Sequence, residues 1–199
     1  MNTQSHAVLN LYIVRRLLAR RLEAIDRLTP FIVTGAVLPD VPIMLFFFWY
    51  TWMVPTPQRV IWGTLYFSPG WQAVFDLFHS LPLFSLLALL AYLRSQDRVL
   101  AFSLAALLHF LEDFFLHQQD GHAHFFPLSD YKFISPVSYW DPRYFGHYAS
   151  LLELGLTVTL STLLFPHLKT WWGKSILVLA NLSLLLNDHL WFWIFATFR

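Results

Sequence analysis

The chain has 199 residues, 57% of them hydrophobic, 19% aromatic and only 13% charged, whereas a soluble domain carries about 25% charged residues. That balance excludes an ordinary soluble domain, and a net charge of +1 without an extended basic face excludes a nucleic-acid partner. There is no cysteine, so disulfides and thiolate metal sites are excluded, and any metal must be held by His, Asp, Glu and water.

The expected fold is all-α: one multi-pass transmembrane bundle over residues 1–199, with about five membrane helices after an N-terminal amphipathic helix. No cleavable signal peptide is read, because the first apolar stretch is short and runs into Arg15 and Arg16. Within residues 1–29, positions 7–28 read as the amphipathic helix. Leu11, Val14, Leu18, Leu22 and Ile25 share one face; Arg16, Arg20, Glu23 and Arg27 share the other. Such a helix lies in the membrane interface, or docks on the rest of the protein.

Membrane helices are expected in 30–117 and 148–199. The first, 31–54, is interrupted by Pro39-Asp40-Val41-Pro42, which should break or kink it. A loop follows, with Trp62, Tyr66 and Trp71 suited to the headgroup level. The second helix, 71–93, carries Asp76 and His79, and the third is 99–117. A polar site loop at 118–147 is long enough to suggest function. Within it, residues 135–142 read as turns, and Lys132 and Arg143 offer charge to an anionic headgroup. The fourth and fifth helices are 148–165 and 175–198. Lys and Arg divide nine against four if the N-terminus is cytoplasmic, which favours that orientation. His79, Asp113, His117, His147, Asp188 and His189 then lie towards the outer side. His167 and the Trp191-Phe-Trp193 run read as interfacial.

The densest chemistry is His109 to His124, which holds four histidines and three carboxylates in sixteen residues. His109, Asp113 and His117 are spaced by four and share a helix face. Ionisable groups at membrane depth are costly and usually mark a function. Imidazole and carboxylate together suit Zn²⁺ or a similar divalent ion. The candidate ligands are Asp40, His79, His109 and Asp113, with His117, His122 and His124 as a second position or an entrance. Glu112 and Asp120 are candidate general bases. His147, Glu153, Asp188 and His189 are candidates for orienting ligands.

Four pieces occur in order: Ser5-His6-Ala-Val-Leu, Leu38-Pro39-Asp40, Phe78-His79-Ser80 and His109-x-x-x-Asp113. Together they resemble the membrane-bound metal-dependent hydrolase family, which includes an SOS-regulated bacterial inner-membrane protein and is distantly similar to zinc-dependent phospholipase C. The resemblance spans roughly residues 1–130. It implies a small helical protein of the bacterial inner membrane with a hydrolase-like metal site. His6, Asp40, His79, His109 and Asp113 are the matching positions. Two departures stand out. Pro42 replaces the family's second Asp, and Val74, Phe75 and Asp76 stand where the family has His-Arg-Gly, with Phe78 in place of its Thr.

The expectation is therefore a metal-dependent hydrolase acting on a phosphoester or ester, with membrane lipid as surroundings and a lipid or small molecule as substrate. The alternatives are a carrier for a divalent ion or protons, or a structural subunit stapled by its polar cluster. His6 fits poorly with a cytoplasmic N-terminus, because the other candidate ligands gather at the opposite face.

Overall fold

A computed structural model of the protein describes residues 1–19 and 25–197, and the side chains of residues 1–19 and 26–185. All regular structure among them is helical: α1 (Thr3–Leu18), α2 (Thr29–Val37), α3 (Val41–Phe48), α4 (Gln58–Val60), α5 (Pro69–Phe78), α6 (Leu81–Leu93), α7 (Asp97–Leu116), α8 (Gly146–Leu164) and α9 (Trp171–Thr197). The all-α bundle read from composition is the observed architecture. Among the described residues, four continuous helical stretches are long and apolar enough to cross a membrane: Asp26–Met53, Pro69–Leu93, Asp97–Leu116 and Gly146–His167. The shorter apolar stretch Trp171–Leu185 begins the expected fifth helix, whose side chains beyond 185, including Asp188, His189 and Trp191 to Trp193, lie outside the described residues. Leu86, Leu89 and Leu93 on α6, Leu151 and Leu152 on α8, and Ile176 and Leu179 on α9 all face outwards. So much exposed aliphatic surface is consistent with a membrane protein.

Prolines and caps set the breaks. Pro39 has no N–H for the helical ladder, and the chain passes through a 3₁₀ turn at Leu38–Asp40 before α3 starts with Pro42 in its first turn. A second break, absent from the sequence reading, falls at His79. There α5 ends, Ser80 caps α6 by accepting from Leu83 N–H at 3.3 Å, and Pro82 sits in the first turn. The Ser80 hydroxyl also donates to the Phe126 carbonyl.

The helix expected at 7–28 is corrected. It starts at Thr3, ends at Leu18, and packs against α2, α7, α8 and α9 instead of lying on the surface. Ser5, His6, Val8, Leu9, Leu11 and Val14 are buried, which is more than one apolar stripe supplies. The docked alternative is the observed one; positions Arg20 to Glu23 lie outside the described residues. α1 and α8 run in the same direction. At one end Asn2 N–H donates to Glu153 Oε1 at 2.8 Å. At the other, Asp26 takes both Arg15 and Lys169, each at 2.7 Å. The conflict over His6 disappears, because α1 carries it into the bundle from the end where α7 finishes.

α2 and α7 approach closely. A Cβ on Gly35 would lie 2.1 Å from the Phe102 carbonyl oxygen. Small residues at such a crossing let two helix backbones touch, and here Ala36, Ala101 and Ala105 line the same core. An aromatic cluster of Phe46, Tyr66 and Phe75 with Trp71 packs beside α3 and α5. The polar loop folds back as a cover. Ser135 N–H and Tyr139 N–H reach the carbonyls of His117 (3.0 Å) and Leu116 (2.9 Å), and Leu81 N–H reaches that of His124 (2.8 Å).

Candidate metal centre

Four side chains from four places converge under this cover: Asp40 from the 3₁₀ turn, His79 from the α5–α6 break, and His109 and Asp113 from successive turns of α7. One atom of each lies within 4.8 Å of the others, and His79, His109 and Asp113 are fully buried. His109 Nε2 is 3.1 Å from Asp113 Oδ2 and 3.5 Å from Asp40 Oδ1. His79 Nε2 is 3.8 and 4.0 Å from the same two oxygens. A tetrahedral ion with N/O ligands at about 2.0–2.1 Å has ligand–ligand edges of about 3.4 Å, so the observed spacing is close to that and slightly open.

The backbone fixes both rings. His109 Nδ1 is 2.7 Å from the Ala36 carbonyl and His79 Nδ1 is 2.8 Å from the Phe75 carbonyl. A carbonyl only accepts, so each Nδ1 carries the proton, and a neutral ring then presents a bare lone pair at Nε2. Neither Nε2 has a hydrogen-bond partner. Two lone pairs and two carboxylate oxygens facing one another are stabilised by a cation between them, and these four residues could hold a metal ion. Thr3 donates its hydroxyl to Asp40 Oδ2 at 2.5 Å, which leaves Oδ1 for the cluster.

His6 packs against this centre without being one of the four. Its ring stacks on His109 with centroids 3.6 Å apart; its Nε2 is 3.0 Å from Asp113 Oδ1 and its Nδ1 is 2.5 Å from Glu112 Oε2. His117 Nε2 is 3.4 Å from the same Asp113 oxygen, and the Met1 amine is 2.7 Å from it. His117 Nδ1 is 3.1 Å from Asp120 Oδ2, which also accepts from Trp140 Nε1 at 2.9 Å. Glu112 and Asp120, read from sequence as general bases, thus each bond an imidazole. Burial alone would lower the His117 pKa, but the Asp113 and Asp120 carboxylates raise it to about 9. Burial would likewise raise that of Asp120, yet the His117 and Trp140 bonds bring it down to about 2.

His122 and His124 are brought near but lie outside the four-residue group. The His122 ring stacks on His79 at 3.8 Å and its Nδ1 is 3.9 Å from Asp76 Oδ1. His124 Nδ1 faces the His122 carbonyl at 3.0 Å, and its ring packs against Phe114. Burial holds both neutral, His122 with a pKa well below the usual histidine range and His124 with one of about 4. Asp76 accepts from Ala123 N–H at 2.8 Å and is 3.8 Å from Lys132. Beside it is an open concavity of about 420 Å³ lined by Phe67, Gln72, Asp130 and Phe126. Glu153 is buried against Asn2, His147 is exposed on the first turn of α8, and Arg143 pairs with Asp141 at 2.7 Å.

The sequence reading lacked the Ala36 and Phe75 carbonyls. The second is four residues before His79 and foreseeable from helical spacing; the first comes from another helix and leaves no local signal. Compared with protein-family models, curated proteins and solved structures, the chain matches none, so the resemblance noted above rests on its short motifs alone.

Proposed function

We propose that the protein is a metal-dependent hydrolase of a bacterial inner membrane, acting on a phosphoester or related ester, with zinc at Asp40, His79, His109 and Asp113. The observation that carries this reading is the pair of imidazoles that each bond a backbone carbonyl through Nδ1 and aim an unpartnered Nε2 at two carboxylates. Zinc held there would acidify water and polarise a phosphoryl or carbonyl oxygen. The chain's own part is to orient. Thr3 aligns Asp40, the Ala36 and Phe75 carbonyls align the rings, and the covering loop limits solvent.

Arg15, Arg16, Arg27, Arg94, Arg98, Lys169 and Lys174 belong to the end away from the cluster, and Arg59, Lys132 and Arg143 to its own end. The positive-inside rule then turns the cluster outwards. Met1, beside Asp113, accompanies it to the outer side, opposite to the orientation read from sequence.

A carrier for a divalent ion or protons has one observation in its favour: Glu153, Thr157 and Ser161 are buried on successive turns of α8. Below them the core is apolar, with Val14, Leu164 and Leu177 in one cluster, which favours a one-sided pocket.

The test is ester hydrolysis by the detergent-purified protein on chromogenic phosphodiesters and short-chain esters. The expected result is turnover that a chelator abolishes, zinc restores and His109→Ala lacks. Turnover indifferent to chelation, or accumulation of zinc in proteoliposomes without hydrolysis of any ester, would overturn it.

A further inference from the structure

Glu153, on α8, is a buried carboxylate that forms no ion pair among the described residues. Its Oε1 accepts from the Asn2 N–H at 2.8 Å, and its Oε2 has no hydrogen-bond partner. The Met1 amine does not serve it, being taken by Asp113 Oδ1 at 2.7 Å. One turn further along α8 stands Thr157, and one turn further along α1 from Asn2 stands Ser5. The two helices pack together and run the same way, so these residues stand about 6 and 4.5 Å beyond the Asn2–Glu153 contact, nearly level with each other. Both are fully buried, and neither hydroxyl oxygen has a partner. The row closes one turn later, where Ser161 accepts from Asn181 Nδ2 at 2.8 Å and the apolar Leu164 and Leu177 follow. It is a closed recess lined by oxygen, and no path continues from it.

A carboxylate without countercharge and two unpaired hydroxyls are costly inside an apolar bundle. A proton on Glu153 serves one of the three oxygens, whereas a cation among them serves all three. Hard cations take oxygen ligands, and a single carboxylate balances a single charge. We propose that one alkali cation binds between α1 and α8, held by Glu153 Oε2, Ser5 Oγ and Thr157 Oγ1. This site shares no ligand with the zinc centre and stands apart from the hydrolase reading. Its place in the fold is at the start of α1, where it fastens to α8 the same turn from which Thr3 reaches Asp40.

Salt identity decides it. The full chain is purified in detergent, stripped of divalent ions with chelator, and melted in sodium, potassium or choline chloride at equal ionic strength. The wild type is expected to melt about 5 °C higher in a saturating alkali salt than in choline. Glu153→Gln keeps the shape of the side chain and removes its charge, and Thr157→Val removes a hydroxyl at equal volume; each should lose that difference. Radioactive sodium or rubidium retained by the wild type, with one ion per chain at saturation, should be absent from Glu153→Gln. Equal melting of the wild type in all three salts means that water or a proton fills the recess, and overturns the proposal. So does an alkali effect that both variants retain, or a larger stabilisation by calcium than by either alkali ion. None of these outcomes touches the zinc centre, whose own test is hydrolysis that depends on zinc.

Discussion

His109 is tied to Ala36 by a 2.7 Å bond from its ring Nδ1 to the backbone carbonyl. The bond joins α7 to the last turn of α2, and it exists only because the two helices nearly touch at Gly35. Backbone packing and ring orientation are therefore one feature. A change that parts the helices should disturb the metal centre without altering a ligand.

Gly35→Ala tests that link. The added Cβ would meet the Phe102 carbonyl at 2.1 Å, so α2 must move. The expected cost is about 1–3 kcal/mol, the range for overpacked cores, together with weaker zinc binding. Gly155 on α8 has nothing within 4 Å of its Cβ position, and Gly155→Ala should change stability by no more than about 1 kcal/mol. Thermal melts in detergent and zinc titrations compare the two; indistinguishable variants would refute the link.

Thr3→Val removes the hydroxyl that holds Asp40 and nothing else of similar size. Zinc affinity should drop by about 10- to 100-fold, the usual effect of losing a group that orients a ligand. The melting temperature of the metal-free protein should move little. Competition titration against a chromophoric chelator reads the affinity, and an unchanged value would remove Thr3 from the account.

Acidity should act through the covering loop. In the metal-free protein the His124 pKa is depressed to about 4 by burial, and that of His122 also lies low. A depressed histidine contributes stability that is complete above its unfolded value of about 6.5 and is lost as pH falls towards the folded value. His117, raised to about 9, acts oppositely, and its contribution is lost as pH rises through that value. Stability should therefore peak between about pH 6.5 and 7.5 and fall on the acid side by up to about 1.4 kcal/mol per unit for each buried histidine. His124→Asn should flatten the acid limb. Melts between pH 4.5 and 9 check this, and an acid limb unchanged in the variant would contradict it.

Orientation is open to labelling, because the chain has no cysteine of its own. Leu128 is 79% exposed at the end that carries the cluster, and Gln96 is exposed in the α6–α7 turn at the basic end. Leu128→Cys should react with an impermeant maleimide on intact cells, and Gln96→Cys only after permeabilisation. The reverse pattern would turn the site to the cytoplasm.

The sequence disclosed most of the frame. Apolar run length marked the spanning stretches, and Pro39 with Pro42 marked the break that holds Asp40. The spacing of four between His109 and Asp113 put both on one face of α7. Two things were hidden. The α5–α6 break carried a signal in Ser80 and Pro82, a cap and a first-turn proline, but the continuous apolar pattern of residues 71–93 masked it. The place of His6 followed from the direction of α1, which is decided by packing against α7 and α8 at the tertiary level. Periodicity alone could not separate a helix lying on the bilayer from one threaded through the bundle.

The most direct test of the central claim is anomalous diffraction at the zinc edge from crystals of the zinc-loaded protein. The account predicts a peak enclosed by Asp40 Oδ1, His79 Nε2, His109 Nε2 and Asp113 Oδ2, with each ligand at about 2.0–2.2 Å. A map in which these side chains bond one another or water, with no anomalous density between them, would contradict it.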